Sequence, residues 1–176
     1  ARRAGRSLVF LDESGFMLQP LVRRTWAPRG QTPILRQWDR RDRLSAISAL
    51  TVAPRRRRFG LYWALHRHNI RSPEVLRFLQ ALRRHVPHGF TLIWDRSRPH
   101  RAATVQEWLA ARVPRIVVEW LPAYAPDCNP VEQIWGHTKY GDLANFAPAD
   151  LDHLEGAVVT SFTATRGHRP YLAAFF

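Results

Sequence analysis

The chain has 176 residues, and we expect one domain spanning residues 1–176. Hydrophobic residues make up 45% of it, which excludes global disorder. No apolar run is long enough for a membrane span, and the first residues lack a signal-peptide core. The single cysteine, Cys128, excludes an intrachain disulfide and a cysteine-rich zinc site. These features predict a soluble, cytoplasmic protein without a membrane partner.

The charge is strongly positive, with 27 Lys and Arg against 14 Asp and Glu, a net +13. Such an imbalance indicates a polyanionic partner. All the cations except Lys139 are arginines, which bind phosphate through planar, bidentate contacts. A GC-rich coding sequence would explain the preference for Arg over Lys equally well, but it does not explain the low number of acids.

The first half of the chain predicts strands. Ser7–Leu11 is an apolar run that ends at a turn-like AspGluSerGly, and a second strand is expected to begin near residues 16–18. Residues 20–40 are predicted to form an irregular basic segment. Leu44–Val52 and Phe59–Leu65 are typical of a hairpin. Its basic tip either contacts DNA phosphates or is a solvated turn, and it comprises Arg55, Arg56, Arg57 and Arg58.

The second half alternates helices with strands. Ser72-Pro73-Glu74 is a helix-start signal, with Ser72 at the cap. The predicted elements are a helix to Val86, a strand over Phe90–Trp94, a helix over Ala102–Arg112, a strand over Ile116–Leu121, a helix from Asn129-Pro130 to Tyr140, and a helix over Ala149–Ala164. This order predicts an α/β fold, in which a mixed sheet carries helices on its faces.

Three acids lie where such a sheet gathers ligands. Asp12 and Asp95 each follow a predicted strand, and Glu132 lies near the start of a later helix. Carboxylates that converge need cations to neutralise them, and hard oxygen ligands suit Mg²⁺ or Mn²⁺. Two such ions can activate a nucleophile and stabilise the leaving oxygen of a phosphodiester. An acidic centre within a basic surface is therefore typical of a nuclease-like site.

Each acid also has a purely structural explanation. Asp12 could cap a turn at Ser14-Gly15. Asp95 could pair with a neighbouring arginine. Glu132 could complete a capping box, with Asn129 at the N-cap and Pro130 at the first helical position. Spacing alone does not choose between these alternatives and a metal site.

Three segments resemble the motifs of DDE transposases. PheLeuAspGluSerGlyPhe at 10–16 is similar to their first-strand motif, and LeuIleTrpAspArgSerArgProHis at 92–100 to their second. LeuProAlaTyrAlaProAspCysAsnProValGluGlnIleTrp at 121–135 resembles the third and is the most specific of them. The spacing from Asp95 to Glu132, and ThrTrpAlaProArgGlyGlnThrPro at 25–33, resemble the mariner-like group of bacterial insertion sequences.

This resemblance implies a ribonuclease H-like fold, in which three antiparallel strands lead into parallel strands with helices on both faces. It also implies Mg²⁺ or Mn²⁺, two ions, held by an acidic triad of Asp12, Asp95 and Glu132. The implied activity is DNA strand cleavage and strand transfer at transposon ends and target DNA by a homodimer, near the bacterial nucleoid. A nuclease without strand transfer and an inactive DNA-binding remnant are the alternatives.

The resemblance has two departures. Arg96 stands where these transposases usually carry Asn, so it could pair with Asp95 or with a phosphate. The helix-turn-helix region that normally precedes the catalytic domain is not found before residue 7, so we expect this chain alone to bind DNA without sequence preference. His100 matches the family histidine and either orients its loop or contacts DNA. Lys139 either reaches DNA or is solvated, and Trp135 is expected in the core.

Overall fold

A computed structural model of the protein describes residues 5–35, 42–55, 58–123 and 125–176. Its centre is a five-stranded sheet in the order β3-β2-β1-β4-β5. The strands are β1 Ser7–Met17, β2 Arg43–Val52, β3 Phe59–His66, β4 Phe90–Trp94 and β5 Ile116–Trp120. β1 to β3 pair antiparallel, whereas β4 and β5 extend the sheet in parallel from β1. The predicted mixed sheet is confirmed.

Helices cover both faces of this sheet. They are α1 Ser72–His85, α2 Ala103–Ala110, α3 Val131–His137, α4 Leu151–Gly167 and α5 Arg169–Ala174. A π-helical turn, Thr138–Asp142, continues α3. Residues from α1 and α2 share one buried cluster with β1, β2, β4 and β5, and residues from α3, α4 and α5 share the other with β1, β2 and β3. No helix in the described ranges is both long and apolar enough to cross a membrane.

The expectation that β1 ends at Leu11 was wrong. β1 pairs with β2 without interruption from Leu8↔Val52 to Met17↔Arg43, so no turn forms at Ser14-Gly15 and no new strand begins at Phe16. Long-range pairing with the buried β2 therefore overrides the local turn preference of AspGluSerGly. As side chains alternate along a strand, Asp12 and Glu13 project to opposite faces of the sheet.

Other boundaries differ by a few residues. Helix α1 has Arg71 rather than Ser72 in the cap position, and α4 ends at Gly167 rather than near residue 164. Helix α5 was not predicted. The β2–β3 hairpin is confirmed, with Arg55 and Arg58 exposed at its tip. Arg56, Arg57 and residues 36–40 of the predicted basic segment lie outside the described residues.

The conformation of Gly89 and its close approach to Arg115 provide a test of this fold. It has a φ of +81° just before β4, and a Cβ placed there would lie 2.3 Å from the carbonyl oxygen of Arg115. We expect Gly89→Ala to lower the free energy of unfolding by more than about 2 kcal/mol, because strain and a backbone clash coincide. Gly156→Ala is the matched control, because Gly156 lies on the exposed side of α4 with no atom near its Cβ position.

Urea denaturation measures both variants. The control should gain about 0.5–1 kcal/mol from higher helix propensity. Equal effects of the two substitutions would contradict the close approach between Gly89 and Arg115.

Candidate active site

Asp12 lies in the middle of β1, on the face that packs against α3. The indole Nε1 of Trp135 donates a hydrogen bond to its Oδ2 at 2.9 Å. Burial raises the pKa of Asp12 to about 7 against the opposing effect of this hydrogen bond, and the negative charges of Glu13 and Glu132 raise it further. An unaccompanied Asp12 is therefore only partly ionised near neutral pH, and a nearby cation would favour the charged form.

Glu132 is placed by a buried asparagine, Asn129. The Asn129 amide Nδ2 donates to the carbonyl oxygen of Leu11 at 3.2 Å, and its Oδ1 accepts from the backbone N–H of Val131 at 3.3 Å. These two bonds join the first turn of α3 to β1 beside Asp12. The capping-box interpretation of Glu132 was wrong: Pro130 occupies the cap position, and no described residue donates a hydrogen bond to the Glu132 carboxylate.

Asp95 follows the last residue of β4. Its Oδ1 contacts His100 Nδ1 at 2.7 Å and accepts from the backbone N–H of Ser97 at 3.0 Å. The hydrogen bond from His100 lowers the pKa of Asp95, and it outweighs the opposing effect of burial. Asp95 is therefore an ionised carboxylate that is held in one orientation.

Asp12, Asp95 and Glu132 line one open cavity of about 350 Å³, together with Arg96, Asn129 and residues 121–126 that the structure describes. The three carboxylates line the same cavity but do not converge on a single point. Within the described ranges, no three His, Cys, Asp or Glu side chains are close enough to hold a metal ion. Binding an ion here would draw the carboxylates closer together.

His100 lies behind Asp95 and links it to a second acid. Its ring is fully buried, stacks on Trp94 at 4.0 Å between centroids, and contacts Glu13 Oε1 through Nε2 at 2.7 Å. Burial alone would lower the pKa of His100, but hydrogen bonds to Asp95 and Glu13 outweigh it and raise that pKa to about 9. The protonated ring donates to both carboxylates at once. Because the ring has no exposed surface, the structure favours the orienting role of His100 over the alternative of a contact with DNA.

Arg96 does not pair with Asp95. Its guanidinium lies 5.9 Å from the centre of the Trp120 ring, and its side chain is exposed at the cavity. The departure from the usual asparagine therefore leaves the Asp95 carboxylate bound to His100 and Ser97. It also adds a positive charge at the cavity mouth.

Lys139 is not a solvated residue. Its Nζ donates to Ser14 Oγ at 2.6 Å and lies over the ring of Phe16. Burial lowers the pKa of Lys139, although the charges of Glu132 and Asp12 oppose this shift. Lys139 is thus a cation close to the carboxylates of Asp12 and Glu132, on the α3 side of the sheet.

The sequence and the fold were compared with known proteins. A family model described as "DDE superfamily endonuclease" matches residues 7–155. The chain belongs to the DDE superfamily endonucleases. Comparison with curated proteins finds no match.

Solved structures of similar fold include two of the Mos1 transposase. The paired-end complex with left transposon end is 17% identical, with a TM-score of 0.68 over 94% of this chain and 50% of that one. The catalytic domain of Mos1 mariner transposase is 14% identical, with a TM-score of 0.64 over 98% of this chain and 76% of that one. This DDE endonuclease chain thus spans about half the length of the first. At such identities the likeness concerns the fold, and it confirms the ribonuclease H-like architecture.

Sequence reasoning missed three groups of this DDE endonuclease site. Glu13 was not among the predicted site residues, yet its Oε1 contacts His100 Nε2 at 2.7 Å. The bond from Trp135 to Asp12 and the bond from Lys139 to Ser14 were also missed. The strict alternation of side chains in a continuous β1 was the signal that could have separated Asp12 from Glu13.

Replacing Asn129 tests how Glu132 is placed. We expect Asn129→Ala to lower the free energy of unfolding by about 1–3 kcal/mol, because it leaves the buried Leu11 carbonyl and Val131 N–H without their partner. Asn69→Ala, at an exposed position where the side chain accepts a hydrogen bond from Arg43, should change it by less than about 1 kcal/mol. Chemical denaturation measures both, and a harmless Asn129→Ala would show that α3 is held on β1 by other contacts.

The buried His100 predicts a pH-dependent stability in metal-free protein. Its pKa is raised from 6.5 to about 9, so its contribution is complete below pH 6.5 and is lost as pH rises through 9. His100→Phe keeps a ring on Trp94 but removes both hydrogen bonds. Its deficit in unfolding free energy should therefore shrink, by on the order of 3 kcal/mol, between about pH 6 and about pH 10.

Urea denaturation in EDTA at both pH values measures this deficit. His88→Phe, at an exposed position, should change stability by under about 0.5 kcal/mol at either pH. A His100→Phe deficit that stays constant with pH would contradict a protonated ring between Glu13 and Asp95.

Proposed function

We propose that the chain is the catalytic domain of a transposase that cleaves and joins DNA strands with divalent metal ions. The observation that carries this proposal is the single cavity lined by Asp12, Asp95 and Glu132 in a DDE superfamily endonuclease fold. Solved structures of similar fold include "Mos1 mariner paired end complex with Mn", and a corresponding complex with Mg.

Asp12, Asp95 and Glu132 would hold Mg²⁺ or Mn²⁺, with room for two ions in the cavity. Their donor set suits these metals, because hard carboxylate oxygens are the preferred ligands. Burial raises the pKa of Asp12, so the site disfavours uncompensated negative charge and fits a cation. When bound, the ions would activate a nucleophilic oxygen and stabilise the oxygen that leaves phosphorus.

The protein's own groups would orient these carboxylates and the DNA. Trp135 holds Asp12, His100 holds Asp95, and Asn129 places Glu132. In cleavage, water forms a bond to phosphorus as the bond to the 3′ oxygen breaks, which frees a 3′-hydroxyl. In strand transfer, that hydroxyl attacks a target phosphodiester, and one phosphorus–oxygen bond forms as another breaks.

The DNA partners would be transposon ends and target DNA, bound by a homodimer that pairs two ends. Arg96 and Lys139 are the cations at the cavity and beside the carboxylates, and Arg55 and Arg58 lie at the exposed hairpin tip. These residues would contact phosphates, and Arg56 and Arg57, which the sequence predicts for the same tip, are proposed with them. Mos1 structures of similar fold contain the left transposon end in one case and a strand transfer complex in another.

Nicking of supercoiled plasmid in Mg²⁺ or Mn²⁺ tests the proposed chemistry. Asp12→Asn, Asp95→Asn and Glu132→Gln should each lower the nicking rate by at least about a thousandfold, because each removes a charged metal ligand. Glu107→Gln is the control, because Glu107 is exposed on α2 away from the cavity. Full activity of all three cavity variants would overturn the site assignment.

Strand transfer is measured separately, with a labelled duplex that carries a free 3′-hydroxyl. Joining of the label to plasmid supports a transposase. Nicking without joining would point to a nuclease of the same fold, and DNA binding with neither reaction would point to an inactive remnant.

A further inference from the structure

A second basic region lies at the opposite end of the sheet from the carboxylate cavity. The amino ends of β4 and β5 form the floor of a cavity of about 440 Å³ that Arg83, Arg112 and Arg115 help to line. Arg6 joins its rim, because its guanidinium donates to the carbonyl oxygen of Pro114 at 2.9 Å. We call Arg6, Arg83, Arg112 and Arg115 the basic end.

Distance separates the basic end from the active site. Asp95 follows the carboxyl end of β4, whereas Gly89 and Arg115 precede the amino ends of β4 and β5. Each of these strands has five residues, so the two ends lie roughly 17 Å apart. That distance corresponds to about five base pairs of duplex DNA, so one duplex phosphate could not serve both sites.

The charge of the basic end is not neutralised. In the part of the chain that the structure describes, no ion pair joins any of its four arginines to a carboxylate, unlike Arg67 and Arg77, which pair with acids. Arg112 is instead held by neutral groups: it donates to the Trp108 carbonyl at 2.7 Å and stacks on the Trp108 ring at 4.0 Å. No acidic residue occurs between residues 75 and 94 or between 108 and 118.

Helix dipoles do not account for this many cations. The carboxyl ends of α1 and α2 both point at the basic end, and each contributes a charge of about −0.5. The two ends together balance about one of the four arginines. A concave surface with a surplus of about three positive charges favours a ligand with several negative charges.

We propose that the basic end binds the phosphate backbone of duplex DNA as a second, sequence-independent site. Arginine forks match phosphate oxygens, and Arg6 and Arg112 are already held in place by backbone carbonyls, which reduces the entropy lost on binding. The proposal rests on DNA as the partner but not on the metal chemistry. Such a site would hold a second stretch of DNA while the carboxylate cavity engages the strand to be cut.

The salt dependence of DNA binding tests this site. Fluorescence anisotropy with a labelled random-sequence duplex in EDTA would compare the full chain with R83Q/R115Q, two exposed residues whose loss takes the net charge from +13 to +11 (13 − 2). The slope of log K against log salt should become less negative by about 1.8, because two phosphate contacts are lost. Affinity at about 0.1 M salt should fall by about tenfold or more.

R67Q/R77Q is the matched control, because it removes the same charge from arginines already paired with carboxylates. Its slope should change by less than about 0.3. R83K/R115K should keep most of the wild-type slope, which shows that the glutamine variant fails through charge rather than misfolding. An equal change in R83Q/R115Q and R67Q/R77Q, or no change in either, would overturn the proposal.

Two further measurements distinguish the function of the basic end from that of the carboxylate cavity. Metal-dependent nicking at saturating plasmid should be unchanged in R83Q/R115Q, so loss of nicking there would overturn a distinct site. Asp12→Asn could nick normally while R83Q/R115Q still shows a less negative slope of log K against log salt. That result would overturn the proposed metal chemistry but support DNA binding at the basic end. A slope change seen with single-stranded RNA but not with duplex DNA would overturn DNA as the ligand.

Discussion

Asn129 joins the helix that carries Glu132 to the strand that carries Asp12. Its amide is buried, donates to Leu11 on β1 and accepts from Val131 at the start of α3. A buried amide must satisfy both its donor and its acceptor, so it fixes the register of a helix against a strand more narrowly than apolar contacts do. The rest of the site depends on this contact: Trp135, one turn beyond Glu132, can then reach Asp12, and Lys139 can reach Ser14.

Most of the fold and the identity of the three acids could be predicted from the sequence. Apolar runs and helix-start signals located all five strands and four of the five helices, because those patterns are local. The extension of β1 past Leu11 could not be predicted, since AspGluSerGly favours a turn and only pairing with the distant β2 straightens it. Because β1 was predicted to end at Leu11, it could not be recognised that Asp12 and Glu13 project to opposite faces of the sheet.

The missed contacts have the same physical origin. His100 binds Glu13 across 87 positions, and Trp135 binds Asp12 across 123. No local pattern encodes such pairs. For Glu132, a local pattern was misleading instead. Its sequence context matched a capping box and suggested a local role. The structure instead uses Asn129 for one tertiary hydrogen bond, to Leu11, and one local bond, from Val131, and it leaves the Glu132 carboxylate at the cavity.

Acidic and basic side chains lie at opposite ends of the sheet. Acids line the cavity beyond the carboxyl ends of β4 and β5, whereas arginines without an ion-pair partner among the described residues gather at the amino ends of these two strands. We propose that these three acids, Asp12, Asp95 and Glu132, bind divalent metal. A crystal structure with Mn²⁺ tests it most directly through anomalous scattering. We expect manganese in contact with Asp12, Asp95 and Glu132, with the three carboxylates drawn together; no manganese there at millimolar concentration, or manganese bound elsewhere, would contradict the account.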